Sequence, residues 1–169
     1  MTTELASLPP HARLWVYATR EPLAPDAAQA LARALTDFTD GWTSHGRAVH
    51  AASHVRDSRL VLLAGYVPGA DQVSGCGIDA SVHAVEDAAR GLHLELAQAL
   101  DVVYRMEDGM VDVLPRTAFK QMARDGTVDG NTTVFDLTAT TVGDLRDGRL
   151  ERPASESWHA RLLPSTSNV

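Results

Sequence analysis

The chain has 169 residues, of which 44% are hydrophobic and 22% charged, a composition typical of a soluble globule with one main core. Its net charge of -7, without any run of lysine or arginine, argues against nucleic acid and anionic membrane as partners. A single cysteine excludes an intrachain disulfide and suits a reducing compartment, and no apolar run approaches the ~18 residues of a membrane span. We therefore expect a cytoplasmic protein.

Four strands are predicted from apolar patterning in the first two thirds of the chain. Residues 14–18 and 60–64 are apolar without interruption, as expected of strands covered on both faces. Residues 47–55 alternate between apolar and polar, which is typical of a half-exposed edge strand. Residues 102–106 are the fourth predicted strand.

Two amphipathic helices are predicted between these strands. One spans residues 25–46, with Gly46 as its C-terminal cap, and the other spans residues 79–91, with Asp79 as its N-cap. The resulting order is strand, helix, strand, strand, helix, strand. We therefore predict an α+β fold with a ferredoxin-like β-α-β-β-α-β sheet whose helices lie on one face.

Three further pieces surround this predicted domain of residues 13–107. Residues 1–12 are expected to form a flexible arm, residues 108–163 a C-terminal β-α-β extension, and residues 164–169 a tail. Two uninterrupted apolar strands imply that the open face of the sheet is also covered. Either the segment after Pro115 or a second copy of the chain would cover it, so a homodimer through this face is one expectation.

Residues 74–83, with the sequence SGCGIDASVH, hold the only cysteine of the chain. Cys76 precedes the predicted helix start, where the partial positive charge of the helix favours the reactive thiolate. Asp79 and His83 lie one turn apart on that helix, and a cysteine near a histidine has the parts of a thiol nucleophile and its base. Two alternatives stay open, because a lone cysteine is commonly a small buried residue and Asp79 is explained as a cap.

The predicted topology brings a second corner of the chain to the same end of the sheet. The first helix should end where the second helix starts, so Trp42 and His45 are expected near Cys76. His45 is either a ligand-contacting imidazole or a cation at a helix C-terminus, and Trp42 is either a core side chain or a stacking platform. In the C-terminal segment, Trp158 and His159 form either an anchor for the chain or a lid over the site.

Two sets of candidate site residues follow. Those assigned to catalysis are Cys76, His83 and His45. Those assigned to ligand binding are Trp42, Ser74, Gly75, Gly77, Asp79, Trp158 and His159. No set of cysteine and histidine has zinc spacing, and the phosphate-loop, dinucleotide and Gly-x-Ser-x-Gly patterns do not occur, so we expect neither a metal nor a cofactor.

Three motifs carry a resemblance that spans about residues 14–163. They are Trp42-x-x-His45-Gly46, the stretch of residues 74–83, and Ser157-Trp158-His159-Ala160-Arg161. With these motifs the chain resembles a family of uncharacterised bacterial proteins whose members are often labelled ABC-transporter ATPases. That label does not fit this sequence because the phosphate loop is missing, so the resemblance implies motifs but no mechanism.

A second likeness concerns residues 113–135. The segments at residues 113–119, 125–128 and 133–135 resemble the strand-helix-strand of small GYF-type adaptor modules, which bind peptides in an aromatic groove. The groove is not recognisable here, so the plainer expectation is a segment that packs on the sheet.

Three hypotheses for the function remain open from the residues. The first is a small ligand-binding or protein-interaction protein with its site around residues 74–83. The second is a thiol-dependent enzyme or redox sensor that uses Cys76, with His45 or His83 as the base. The third is a peptide adaptor that acts through residues 115–163.

Overall fold

A computed structural model of the chain describes residues 3–165. In this range the helices are α1 (Thr3–Ser7), α2 (Pro25–Gly41), α3 (Gly75–Gly91), α4 (Arg116–Arg124) and α5 (Val142–Arg146). The strands are β1 (Arg13–Ala18), β2 (Thr43–Ser44), β3 (Arg47–Ala48), β4 (His50–Arg56), β5 (Leu60–Tyr66), β6 (Asp101–Arg105), β7 (Val111–Pro115), β8 (Thr133–Phe135) and β9 (Glu151–Pro153). Two 3₁₀ turns, Ala154–Glu156 and Trp158–Leu162, follow β9. This mixture of helix and sheet confirms the predicted α+β class.

The first sheet has the order β1-β5-β4, with both pairs antiparallel. In its central strand every residue from Leu60 to Ala64 is between 0% and 1% exposed. Leu62 belongs to one core, while Val61 and Leu63 belong to another that lies against α2 and α3. The apolar run of residues 60–64 therefore forms a strand covered on both faces, as predicted. The alternating segment of residues 47–55 contains β4, which is an edge strand, as predicted.

A second sheet, with the order β7-β6-β8-β9, covers the face of the first sheet that was expected to be covered either by the segment after Pro115 or by a second copy of the chain. Val103 and Phe135 from this sheet share a core with Leu14 and Leu62 of the first sheet. Helices α1 and α5 close the same core through Leu5 and other residues. The surface invoked for a homodimer is thus buried within the chain, and the dimer itself stays a prediction.

The fourth predicted strand departs from the ferredoxin-like pattern. Strand β6 pairs with β7 and β8, not with β1. The free edge of β1 is instead met by two isolated bridges, from Leu96 to Thr19 and from Thr141 to Arg13. The Ala97 N–H still bonds to the Ala18 carbonyl at 2.8 Å, and the chain then turns, with the Asp101 N–H bonded back to the carbonyl of Gln98 at 3.0 Å. The ferredoxin-like topology is therefore not confirmed.

The N-terminal segment is packed, in contrast to the flexible arm expected for residues 1–12. Leu5 is 0% exposed and Leu8 is 7% exposed, so both side chains lie in the core shared by the two sheets. The Arg146 guanidinium donates to the Ala6 carbonyl at 2.7 Å and to the Leu8 carbonyl at 2.6 Å. Apolar burial and these hydrogen bonds hold residues 3–12. The tail expected at residues 164–169 lies mostly outside the described residues.

None of the helices within residues 3–165 has the length and apolar character needed to cross a membrane.

Candidate functional site

The first turn of α3 begins earlier than the sequence predicts. Ser74 is the N-cap, and its Oγ accepts a hydrogen bond from the N–H of Gly77 at 3.2 Å. Serine is among the preferred N-cap residues because its hydroxyl satisfies an otherwise unpaired helical N–H. Asp79 lies inside the helix and is exposed, so its assignment as the cap was wrong. Cys76 is consequently the second helical residue and does not precede the helix.

Helix α2 ends before the predicted cap, and a small hairpin takes over. Trp42 adopts an extended backbone directly after the helix, and β2 then pairs with β3. The two residues between these strands, His45 and Gly46, have φ angles of 50° and 73°, as a tight two-residue hairpin turn requires. His45 is therefore an exposed turn residue and not a cation at a helix C-terminus.

The hairpin and the start of α3 are joined by three hydrogen bonds. The Ser44 hydroxyl donates to Ser74 Oγ at 2.7 Å, and the Ser74 N–H donates to Ser44 Oγ at 3.0 Å. The indole N–H of Trp42 donates to the Gly77 carbonyl at 3.1 Å. The two corners thus meet at one end of the sheet, as predicted. Trp42 is only 3% exposed and its indole is satisfied, so it is a core side chain and not a stacking platform.

The two glycines of the motif have different roles. A Cβ at Gly77 would lie 2.7 Å from Val73 Cγ1 and 3.3 Å from Ser44 Cβ, so the absence of a side chain lets the hairpin pack against α3. A Cβ at Gly75 would meet nothing within 4 Å. Close packing therefore explains Gly77, while Gly75 is exposed at the helix start.

Cys76 and His83 are both exposed on α3 but do not form a pair. They lie seven positions apart in the helix, which corresponds to about 10 Å along the axis. Neither side chain has a hydrogen-bond partner in the part of the chain that the structure describes. His83 therefore cannot act as the base for the Cys76 thiol, because it lies beyond hydrogen-bond reach.

Trp158 and His159 lie in the C-terminal core. The two rings stack at 3.9 Å, and His159 also packs edge-on against Phe119 at 6.4 Å. His159 is 1% exposed, with its Nδ1 2.7 Å from Ser157 Oγ. These contacts favour the anchor over the lid.

Burial also changes the chemistry of His159. It lowers the pKa of the imidazole to about 4, and the positive charge of Arg152 adds to that effect while Asp136 opposes it. His159 is therefore neutral near pH 7 and serves the packing of the C-terminal core.

A cavity of about 200 Å³ lies beside the first turn of α3, and sequence reasoning missed most of its walls. The end of β5, the loop after it, the start of β1 and the residue before α5 enclose it. Its lining residues are His11, Arg13, Gly65, Tyr66, Val67, Ala70, Asp71, Gln72, Val73, Ile78 and Thr141. Of these residues only Ile78 belongs to the predicted stretch of residues 74–83, and Val73 lies just before it.

Ionisable and aromatic side chains converge on this cavity. The Tyr66 ring lies between the imidazoles of His11, at 5.7 Å, and His50, at 5.4 Å. The Arg13 guanidinium lies 5.8 Å from the centroid of the Trp15 ring. Arg13 and Asp71 both line the cavity, and within residues 3–165 neither has an ion-pair partner. Comparison of the chain with family models, curated proteins and solved structures finds no match.

The packing of the hairpin against α3 predicts that alanine substitutions at Gly75 and Gly77 have different effects on stability. Gly77→Ala should destabilise the fold by about 1–3 kcal/mol because the new methyl group overlaps Val73 and crowds Ser44. Gly75→Ala is the matched control and should be neutral or slightly stabilising, since its site is open and alanine favours helix. Urea unfolding measures both changes, and equal effects would contradict the packing role of Gly77.

The buried imidazole predicts a pH dependence of stability. The unfolded chain binds a proton at His159 below about pH 6.5, whereas the folded chain binds it only near the lowered pKa of about 4. Stability should therefore fall as the pH drops from 6.5 towards 4, by up to about 3 kcal/mol in total. His159→Asn can keep a polar contact with Ser157 but cannot titrate, so it should flatten this dependence.

Urea unfolding between pH 7 and pH 4.5, followed by circular dichroism, measures the slope. His83→Asn removes an exposed imidazole from α3 and is the control that should leave the slope unchanged. If the slope of the His159→Asn variant equals that of the parent chain, the neutral buried state of His159 is refuted.

Proposed function

We propose that the chain is a cytoplasmic binding protein for a small zwitterionic molecule, such as a free α-amino acid, held in the cavity beside α3. The observation that carries this proposal is one small cavity lined by both Arg13 and Asp71. The proposed site differs from the one expected from the sequence. It lies in the cavity beside the first turn of α3, and of residues 74–83 only Ile78 lines that cavity.

The two opposite charges support a ligand that carries both signs. Arg13 and Asp71 do not form an ion pair with each other, although they line the same cavity. Arginine binds carboxylates through a planar fork of donors, and a carboxylate accepts from an ammonium group. A zwitterion between them would pair both charges at once.

The size and the remaining walls support an amino acid over a larger ligand. A volume of about 200 Å³ corresponds to roughly seven water molecules in bulk, which is too small for a nucleotide. Val67, Ala70, Val73 and Ile78 provide apolar contacts. An aliphatic side chain on the ligand would pack against them, which makes leucine a suitable probe.

Removal of either charged group from the ligand should weaken binding, and the variant that lacks the corresponding protein charge should no longer distinguish the two ligands. Leucine amide lacks the carboxylate and N-acetyl-leucine lacks the ammonium group, so each should bind roughly tenfold more weakly than leucine. Arg13→Gln should abolish the preference for leucine over leucine amide, and Asp71→Asn the preference for leucine over N-acetyl-leucine. Amide shifts of Tyr66, Val73 and Ile78 during NMR titration measure the affinities.

Exposed residues of α2 provide the controls. Arg33→Gln and Asp37→Asn make the same charge changes away from the cavity and should leave all three affinities unchanged. The proposal fails if none of the three compounds shifts these amides, or if leucine binds no better than its two derivatives.

A second candidate is thiol chemistry at Cys76, and the exposure of this side chain at the start of a 17-residue helix favours it. An exposed thiol is open to oxidants and electrophiles, as a sensor requires. If a base assists it, His45 in the neighbouring hairpin is the candidate, because His83 lies two helical turns away.

Alkylation by iodoacetamide tests both parts of this candidate. Cys76 should react in the folded protein about as fast as in the urea-unfolded chain, because its side chain is exposed. His45→Ala should slow the reaction if His45 assists, whereas His83→Ala should leave the rate unchanged. Mass spectrometry follows the modification, and strong protection of the folded chain would rule this candidate out.

A further inference from the structure

A second cavity, of about 490 Å³, lies between the outer edge of β1 and the second sheet. Most of its walls are apolar, and Leu100 remains 55% exposed at its rim. Its lining residues are Val16, Tyr17, Ala18, Ala97, Gln98, Ala99, Leu100, Asp101, Phe135, Leu137, Thr138 and Trp158. We refer to this cavity as the edge cleft. It shares no lining residue with the cavity beside α3.

The backbone of β1 presents unpaired hydrogen-bonding groups in the edge cleft. In an antiparallel strand alternate residues direct their N–H and C=O groups to opposite sides. Leu14 donates outward to the Thr140 carbonyl at 2.8 Å, and Ala18 accepts outward from the Ala97 N–H at 2.8 Å. Val16 lies between them, so its N–H and C=O also point away from β5.

Within residues 3–165 these outward groups of Val16 have no partner, and neither does the N–H of Ala18. Ala18 is 1% exposed and Val16 is half-buried. Backbone groups that are buried are nearly always paired, because leaving them unpaired costs free energy. The N–H and the C=O of Val16 therefore both face the edge cleft, where they can pair with the C=O and the N–H of one residue in an extended peptide.

The charge of the cleft favours a neutral ligand. Asp101 is its one charged lining residue, and its carboxylate already accepts from Arg20 and from the Gln98 N–H, both at 2.9 Å. The Thr138 hydroxyl is also engaged, since it donates to Asp136 at 2.6 Å. Phe135, Leu137, Trp158 and the other apolar walls leave room for an uncharged, apolar body.

Both ends of the exposed edge are closed, which limits the length of the ligand. Thr140 occupies the edge at Leu14, and Ala97 occupies it at Ala18. Leu14 and Ala18 lie four positions apart along the strand, or about 14 Å. A long strand from a protein partner would collide with both segments, whereas a molecule of two or three residues would fit.

We infer that the edge cleft binds a small, neutral, apolar molecule with an extended peptide residue, whose N–H and C=O both pair with Val16 in the manner of a short antiparallel strand. A capped apolar dipeptide, N-acetyl-valyl-leucine N-methylamide, is a member of this class. The N–H of its leucine residue donates to the Val16 carbonyl, the C=O of that same residue accepts from the Val16 N–H, and its side chains contact Leu100, Leu137 and Trp158.

Titration of the ¹⁵N-labelled full chain with N-acetyl-valyl-leucine N-methylamide tests this inference. In the free protein the amide hydrogens of Val16 and Ala18 should exchange faster than those of Trp15 and Tyr17, which bond to β5. The dipeptide should shift the Val16 amide and slow its exchange. The same dipeptide with its leucine nitrogen methylated lacks the donor and should bind at least about tenfold more weakly.

Two equally exposed apolar residues provide matched variants, since Leu100 and Met110 are each 55% exposed. Leu100 lines the edge cleft and Met110 lies in the turn before β7. Leu100→Asp should weaken dipeptide binding about tenfold, while Met110→Asp should leave it unchanged. The inference is overturned if the dipeptide leaves Val16 unaffected up to its solubility limit, if the methylated dipeptide binds equally well, or if the two variants behave alike.

Discussion

Strand β5 is buried on both faces, and the layers of the fold are arranged to cover it. Leu62 faces a core shared with the second sheet, whereas Leu63 faces α2 and α3. Each such side chain gains about 1.5–3 kcal/mol from burial, so neither face can be left to solvent. The covering layers meet along β1 and at the end of β5, and both cavities lie at these junctions.

The hairpin and the start of α3 act as a structural clamp on the first cavity. Trp42 packs so closely over β5 that a Cβ at Gly65 would lie 2.7 Å from its ring. The same indole bonds to Gly77, and Ser74 bonds to the hairpin. Three residues that the sequence suggests as ligand-binding, Trp42, Ser74 and Gly77, thus position the first turn of α3, which carries Ile78 in the cavity wall, without lining the cavity themselves.

Strands β1, β4, β5 and β6 were predictable from the pattern of their apolar residues, as at residues 60–64, whereas β2 lies within residues 25–46, where a helix was predicted. Local turn chemistry was harder to read: Gly46 suggests a helix cap, but α2 ends at Gly41 because Trp42 is extended, and Gly46 lies with His45 in the hairpin turn. Ser74 outcompetes Asp79 as a cap because the hydrogen bonds to Ser44 fix it in place. The cavity was not predictable, since residues such as Arg13 and Asp71 converge only through long-range packing.

The three tryptophans of the chain are divided between the two layers. Trp15 and Trp42 lie 5.6 Å apart in the layer of α2 and α3, and Trp158 stacks on His159 in the C-terminal layer. The first two indoles are thus in contact with each other, whereas the third lines the edge cleft. Each layer therefore has its own intrinsic spectroscopic probe, so a ligand that disturbs one layer can be distinguished from a ligand that disturbs the other.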